Sequence, residues 1–225
     1  MIPKEDKKFK ERKTRILKII KILKKLFPRA RIALRYGNLW ELLIAVVLSA
    51  QTTDKKVNEV TPELFQKYKT LDDYTKADLK EFKKNIRKIG LYKTKAKNIL
   101  ATAKIIKERY QGKIPKTMEE LTQLPGVGRK TANIILGNAY GIIEGIAVDT
   151  HVRRLSLKFD LTDSKDPTKI ERDLMKLLLK KEWLNFPHQM IHYGRTICKA
   201  QPHDCKNHPL TKIYPPAANR WFRAR

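Results

Sequence analysis

Signals for α-helices recur along the whole chain, whereas signals for β-strands do not. Three places carry residues that start a helix, by capping-box spacing or by a proline in the first turn: Thr75 with Asp78, Thr117 with Glu120, and Asp166 before Pro167. Gly141 follows the run 131–140, where a glycine would end a helix. Alternating apolar and polar stretches between tight Asn-Gly or Asp-Gly turns are missing. The sequence therefore predicts an all-α fold.

Two apolar patterns indicate helices that pack into a core. Ile16, Ile19, Ile20 and Leu23 form a stripe at helical spacing on a basic segment, so this segment must pack against other parts of the protein. The longest apolar run, 42–50, is far too short to span a bilayer and is typical of a buried helix.

The charge of the chain indicates the kind of partner. The 50 Lys and Arg residues outnumber the 23 Asp and Glu, which gives a net charge of +27 and favours a polyanion. A membrane partner would need a lipid-facing helix or an anchor, and no apolar run is long enough. Residues 4–25 are interrupted by Lys and Arg and have no secretion-signal core, so we expect an intracellular protein, in the cytoplasm or nucleoid.

Residues 121–132, LTQLPGVGRKTA, have the pattern of a helix, a tight glycine turn and a second helix. Gly126 and Gly128 allow a sharp turn and a close approach to a ligand, and the N–H groups at the next helix start can bind a phosphate. A nucleotide-binding P-loop is disfavoured because Arg129 separates Gly128 from Lys130. The pattern predicts a helix-hairpin-helix that grips a phosphate backbone. On these residues alone, Lys130 could be one more phosphate-binding cation.

Asp149 is the second candidate for chemistry, in the segment IAVDTHVRR at 146–154. Its simplest role is the N-cap of the helix that follows. A carboxylate held at a helix N-terminus can also assist an amine or stabilise a cationic sugar. The capping and catalytic interpretations are compatible.

The segments LPGVGRKTAN (124–133) and AVDTH (147–151) resemble the endonuclease III family of helix-hairpin-helix DNA glycosylases and AP lyases. LSAQTTD (48–54), IGLY (89–92) and HYGR (192–195) resemble the same family in the same order, and the match spans roughly residues 30–205. The resemblance implies two helical domains with a DNA cleft between them. One is a six-helix barrel over 32–142, with the helix-hairpin-helix at about 117–140, and the other joins 1–31 to 143–225.

The resemblance also implies roles for single residues. Lys130 matches the family's nucleophile and Asp149 its essential aspartate, while Gln51 and Leu91 match residues that fill the gap left by a nucleotide flipped out of the duplex. The remaining DNA contacts implied by the match are Gly126, Val127, Gly128, Arg129, Thr131 and His151. His151 is also expected to be an interior residue rather than a metal ligand.

These assignments fit the chemistry of base excision. An amine that attacks the electron-poor C1′ of the sugar forms an imine, and β-elimination then breaks the strand on the 3′ side. The amine must be neutral to attack, and we expect like-charge repulsion or burial to help it lose its proton. The implied partner is duplex DNA with oxidised or otherwise damaged pyrimidines or abasic sites, bound by a monomer.

Two other functions remain open on the sequence. A monofunctional mismatch glycosylase would use water, and such relatives usually lack the lysine at position 130. A non-catalytic helix-hairpin-helix protein would only bind DNA and would have no need of Asp149.

The chain departs from the family in its C-terminal loop at 198–214. Most members carry an iron–sulfur loop with the spacing C-x6-C-x2-C-x5-C, but here only Cys198 and Cys205 are kept, and His208 and Tyr214 replace the other two cysteines. A [4Fe–4S] cluster usually requires four thiolates, so we expect none. Zinc bound by Cys198, His203, Cys205 and His208 is chemically possible. Their tight spacing makes a loop without any metal the favoured interpretation.

Overall fold

The computed structural model describes residues 4–222, and none of these lies in a β-strand, which confirms the all-α prediction. Eleven α-helices lie within the described residues: α1 (Lys4–Leu26), α2 (Leu39–Ser49), α3 (Asp54–Lys67), α4 (Leu71–Lys76), α5 (Leu79–Asn85), α6 (Tyr92–Tyr110), α7 (Met118–Thr122), α8 (Arg129–Tyr140), α9 (Thr150–Lys158), α10 (Pro167–Leu177) and α11 (Asn185–Thr196). Two 3₁₀ helices follow α10 and α11, at Lys180–Glu182 and Pro215–Asn219. Within residues 4–222, no helix combines the length and the apolar character needed to cross a bilayer.

The chain divides into two compact units, and each is described by itself. The terminal unit contains the described residues up to Ile32 and those from Gly145 onwards, and the central unit is Ala33–Glu144.

The terminal unit is built around the apolar stripe of α1. Ile16, Ile19, Ile20 and Leu23 are buried in one core with side chains from α9, α10 and α11. This confirms that the basic N-terminal segment packs as a structural helix. Burial of each such side chain contributes about 1.5–3 kcal/mol.

Ion pairs fix α1 against the end of α9. Arg12 and Arg15 each place a guanidinium nitrogen 3.0 Å from the carboxylate of Asp160. Desolvation opposes the ionised form of Asp160, but its hydrogen bonds to Arg12 and Arg15 prevail and lower its pKa. Asp160 has a positive φ of 49°, a backbone conformation that an Asp tolerates better than most residues.

The central unit is built around α2. Its residues Leu42 to Leu48 are all buried, which confirms the interpretation of the apolar run, and α2 packs against α3, α6 and α8. Tyr68, Tyr74 and Phe82 form a second apolar group in this unit, with ring centroids 5.2 to 5.9 Å apart.

The predicted helix boundaries are confirmed at three places and wrong at one. The side chain of Thr117 accepts from Glu120 N–H, Asp166 caps α10 with Pro167 in its first turn, and Gly141 ends α8 at φ +66°. No helix starts at Thr75, which lies inside α4. Thr70 and Asp73 form the capping box of α4, and Asp78 is the N-cap of α5.

Candidate functional site

The glycine turn between α7 and α8 has the hairpin geometry that the sequence predicts. Gly126 has φ +80°, and a Cβ added there would lie 2.8 Å from Nδ2 of Asn98 on α6. The Val127 N–H donates to the carbonyl of Leu124 at 3.0 Å, and the Val127 side chain is buried. Gly126 is therefore required by the turn and by close packing, and Val127 can offer only its backbone to a ligand.

Gly128 differs from Gly126, because neither the turn nor the packing explains its small size. It is the N-cap of α8, with ordinary φ and ψ of −91° and 175°, and a Cβ added there would meet no atom within 4 Å. Neither conformation nor packing within the protein demands glycine here. The open space above Gly128 is suited to the close approach of a ligand.

The start of α8 exposes groups that are suited to binding an anion. No side chain caps this helix, and its first turn carries Arg129, Lys130 and Thr131. The N–H groups of a first turn lack partners inside the helix, and the helix dipole adds partial positive charge to them. Together with two exposed basic side chains, Arg129 and Lys130, these groups suit a phosphate.

Lys130 is exposed on the second residue of α8. The structure therefore does not show the burial that was expected as one aid to its reactivity.

Asp149 occupies the N-cap position of α9. Its Oδ1 accepts from the Val152 N–H at 2.8 Å, which confirms the predicted capping role, and the residue is half-buried. The cap fixes the direction in which the carboxylate points.

His151 lies against α11. A Cβ added at Gly194 would come within 2.7 Å of His151 Nδ1 and 3.1 Å of Arg154 Nη2. The glycine of the HYGR segment therefore makes room for these two side chains. His151 is half-buried, so its ring is partly an interior group.

Gln51 and Leu91 share an unusual backbone conformation. Both are in the left-handed region, with φ of 53° and 56°, and both side chains are exposed, Leu91 by 55%. Leu91 is therefore not buried in an apolar contact at the end of a helix. A non-glycine residue in this region costs about 1–2 kcal/mol, which marks both positions as strained.

Lys95 is a residue whose role the sequence analysis missed. Its side chain is buried, and Nζ donates to the carbonyls of Leu48 and Ala50 at 2.8 and 2.5 Å and to Thr52 Oγ1 at 3.0 Å. Burial lowers the pKa of Lys95 to about 8. Lys95 thus holds the turn that carries Gln51, and a basic residue at an otherwise apolar helix position was the available signal.

The two strained turns also touch each other. A Cβ added at Gly90, the residue before Leu91, would lie 3.1 Å from the carbonyl oxygen of Gln51 and 3.2 Å from Thr52 Oγ1. The absence of a side chain at position 90 lets the turns of Gln51 and Leu91 pack backbone to backbone.

The C-terminal loop does not have the ligands of an iron–sulfur cluster. The whole chain contains two cysteines, Cys198 and Cys205, and both are buried and free. Tyr214, at one of the replaced positions, stacks on Arg15 with the guanidinium 4.0 Å from the ring centre. The donor set therefore does not fit a four-thiolate cluster.

Comparison with known proteins identifies the class to which this fold and site belong. The model of the HhH-GPD superfamily of base excision DNA repair proteins matches residues 44–180. This match includes the glycine turn, Lys130 and Asp149. The chain is accordingly a base excision DNA repair protein of the HhH-GPD superfamily.

Relatives and solved structures give the family within that class. Endonuclease III of Synechocystis sp. is 45% identical over 92% of this chain and 94% of its own, and endonuclease III of Bacillus subtilis is 46% identical over 84% and 86%. The structure of a trapped endonuclease III–DNA covalent intermediate matches with a TM-score of 0.87 at 43% identity, over 92% of this chain and 98% of that one. The chain belongs to the endonuclease III family, which are DNA glycosylases with AP lyase activity.

Proposed function

We propose that this protein removes damaged pyrimidines from duplex DNA and cleaves the abasic site, with Lys130 as nucleophile and Asp149 as the assisting carboxylate. The genome is the substrate, so the protein works inside the cell. The net charge of +27 supports DNA binding, because such a charge attracts a polyanion whatever its sequence.

The observation that carries the proposal is the position of Lys130. It is the second residue of a helix without a side-chain cap, two residues after Gly128, where an added Cβ would meet no atom within 4 Å. A phosphate bound at the helix start places the neighbouring sugar within reach of an exposed amine on the same turn. The neutral amine attacks C1′ and forms the Nζ–C1′ bond while the base leaves with the electrons of the glycosidic bond. Loss of the amine proton and cleavage of the C1′–O4′ bond then open the sugar ring to the imine, which permits β-elimination.

Asp149 supports the proposal through its fixed position. As the N-cap of α9 it has a defined direction, and it is half-buried. A carboxylate held in this way can stabilise the positive charge that develops on the sugar as the base departs.

The strained turns supply the third part of the function. An extruded nucleotide leaves a gap in the stack, and opening the duplex costs a few kcal/mol. Exposed side chains on rigid turns, as at Gln51 and Leu91, can occupy that gap and keep the opened state from closing.

Borohydride trapping tests the nucleophile. Purified protein is incubated with duplexes that contain thymine glycol, uracil or an abasic site, and the imine is reduced to a stable amine. We expect one covalent adduct with the wild type and none with Lys130→Ala or Lys130→Gln. Lys104→Gln, which changes an exposed lysine on α6, is the matched control and should trap normally.

The same gel separates the proposal from its alternatives. Persistent trapping in both Lys130 variants would place the nucleophile elsewhere. Base release without any adduct in the wild type would indicate a monofunctional enzyme, and binding without base release would indicate a DNA-binding protein alone.

A further inference from the structure

The loop after α11 brings together three side chains that are ligands for transition metals. Cys198 Sγ and one ring nitrogen each from His203 and His208 lie within 4.8 Å of one another. Cys198 is fully buried, and both histidines are half-buried. Cys205 is outside this group, and its thiol donates to the carbonyl of Ala218 at 3.8 Å. The structure thus brings together three of the four residues that the sequence offered as possible zinc ligands, although their tight spacing did not favour a zinc site.

Each histidine has a buried ring nitrogen without a hydrogen-bond partner. His203 Nδ1 lies 2.8 Å from the carbonyl oxygen of Gln201. Because a carbonyl oxygen can only accept a hydrogen bond, Nδ1 is the donor and carries the proton. The lone pair of His203 is therefore on Nε2, which is buried and has no hydrogen-bond partner. His208 Nδ1 is buried and without a partner as well. A buried polar nitrogen without a partner costs about 1–3 kcal/mol, so both atoms favour a ligand.

We propose that Cys198, His203 and His208 bind one zinc ion, with a water molecule as the fourth ligand. A thiolate and two imidazoles are an acceptable donor set for zinc, and a ligand histidine usually donates its second N–H to a carbonyl, as His203 does to Gln201. Ligand atoms around tetrahedral zinc are about 3.3–3.6 Å apart. Since the three atoms lie within 4.8 Å of one another, no pair has to approach by more than about 1.5 Å. All three residues belong to one loop, and rotation of their side chains can provide that movement.

This site differs from an iron–sulfur site in its ligands as well as its metal. His203 is at none of the four cluster positions. Tyr214, which is at the fourth of them, interacts with two cations: its ring stacks on Arg15, and its hydroxyl accepts from Arg220 at 3.1 Å. Where the family's usual loop has four thiolates, this loop offers one thiolate and two imidazoles.

Two buried cations next to the site set a limit on its affinity. Lys158 Nζ lies 3.6 Å from the ring centre of Trp221 and donates to the carbonyl of Arg220 at 3.0 Å, and Arg154 donates to the carbonyl of Cys198 at 2.7 Å. Their charges oppose a divalent ion and stabilise a thiolate. We expect weaker binding than at a site with four protein ligands.

The site is tested by metal binding and not by repair activity. Full-length protein, stripped with a chelator, is titrated with Zn²⁺ and then, separately, with Co²⁺. Elemental analysis after desalting measures zinc and iron, and melting measures the increase of Tm that zinc gives to the native state. Cobalt bound to one thiolate adds a near-ultraviolet charge-transfer band.

The variants His203→Gln, His208→Gln and Cys198→Ser remove one ligand each, and Cys205→Ala is the matched control, a buried cysteine of the same loop. We expect one zinc per wild-type chain, a loss of affinity of at least about tenfold in the three ligand variants, and wild-type binding in the control. The comparison uses the zinc-dependent part of Tm, so a variant that is merely less stable does not imitate a lost ligand. Wild type without stoichiometric zinc, wild type with stoichiometric iron, or equal losses in His203→Gln and Cys205→Ala would each overturn the proposal.

Discussion

Replacement of the buried Lys95 by methionine tests how the central unit holds its strained turns. Lys95→Met keeps most of the side-chain volume and removes the charge and three hydrogen bonds, those to the carbonyls of Leu48 and Ala50 and to Thr52 Oγ1. The turn that carries Gln51 then loses its main interior support.

The expected loss of stability follows from two opposing contributions. Three hydrogen bonds from a charged donor are together worth about 4–9 kcal/mol. Burial lowers the pKa of Lys95 from 10.5 to about 8, which corresponds to a cost of about 3 kcal/mol for the buried charge. Methionine loses the first contribution and avoids the second, so we expect a net destabilisation of about 1–6 kcal/mol at pH 7.

The pH dependence has a definite sign. Between pH 8 and 10.5 the unfolded chain keeps the proton on Lys95 while the folded chain releases it, so the free energy of unfolding rises with pH through this window. Below pH 8 both states are protonated, and the full cost of the buried charge is present. Lys95→Met lacks this contribution, and the stability difference between wild type and variant should therefore widen from pH 7 to pH 10 by about 2.5 kcal/mol.

Urea unfolding of wild type, Lys95→Met and Lys97→Met at pH 7, 8.5 and 10 measures these differences. Lys97 is exposed on the same helix, so its variant controls for the loss of a lysine without burial. A difference for Lys95→Met that stays constant or narrows with pH would refute the account of a desolvated charge. A destabilisation no larger than that of Lys97→Met would refute the structural role.

Five further substitutions test the functional elements. Leu91→Ala and Gln51→Ala should keep their Tm but lose activity on a paired lesion, and regain much of it opposite a gap or mismatch; equal losses on both substrates would make the residues structural. Gly126→Ala should destabilise the protein by at least about 1 kcal/mol, because of its positive φ and close packing, whereas Gly128→Ala should fold normally and bind DNA more weakly in a filter or anisotropy assay. Asp149→Asn retains a good N-cap residue, so it should unfold like the wild type and lose about 10²-fold or more in single-turnover rate, with little change in DNA affinity; a large drop in Tm would leave capping as its main role.

Local signals in the sequence predicted the parts of the fold that depend on local interactions. Thr117 and Asp166 mark helix starts because an N-cap is satisfied by residues two or three positions away. The error at Thr75 has the same origin. Thr70 with Asp73 offers the same spacing five residues earlier, and only packing against α6 decides which pair begins a helix.

Features that depend on tertiary packing were beyond the reach of spacing. The helical position of Lys95 indicates that it lies on the apolar side of α6, but the order of residues does not show which carbonyls its amine reaches. Likewise, the spacing of Cys198, His203, Cys205 and His208 does not tell which three side chains meet. The path of their loop depends on its contacts with the rest of the terminal unit.

The absence of glycine at the strained positions 51 and 91 argues that Gln51 and Leu91 have a function. Glycine would adopt the left-handed conformation without the cost of about 1–2 kcal/mol at each position, and the neighbouring Gly90 shows that the same turns accept glycine where close contact requires it. Lys95 adds hydrogen bonds that hold the turn of Gln51 in this conformation. A segment that needed only to turn would gain stability from glycine at both sites. The side chains of Gln51 and Leu91 are exposed and make their turns less stable, while Lys95 stabilises the turn of Gln51 from the interior. These side chains are therefore best explained by what they contact outside the protein.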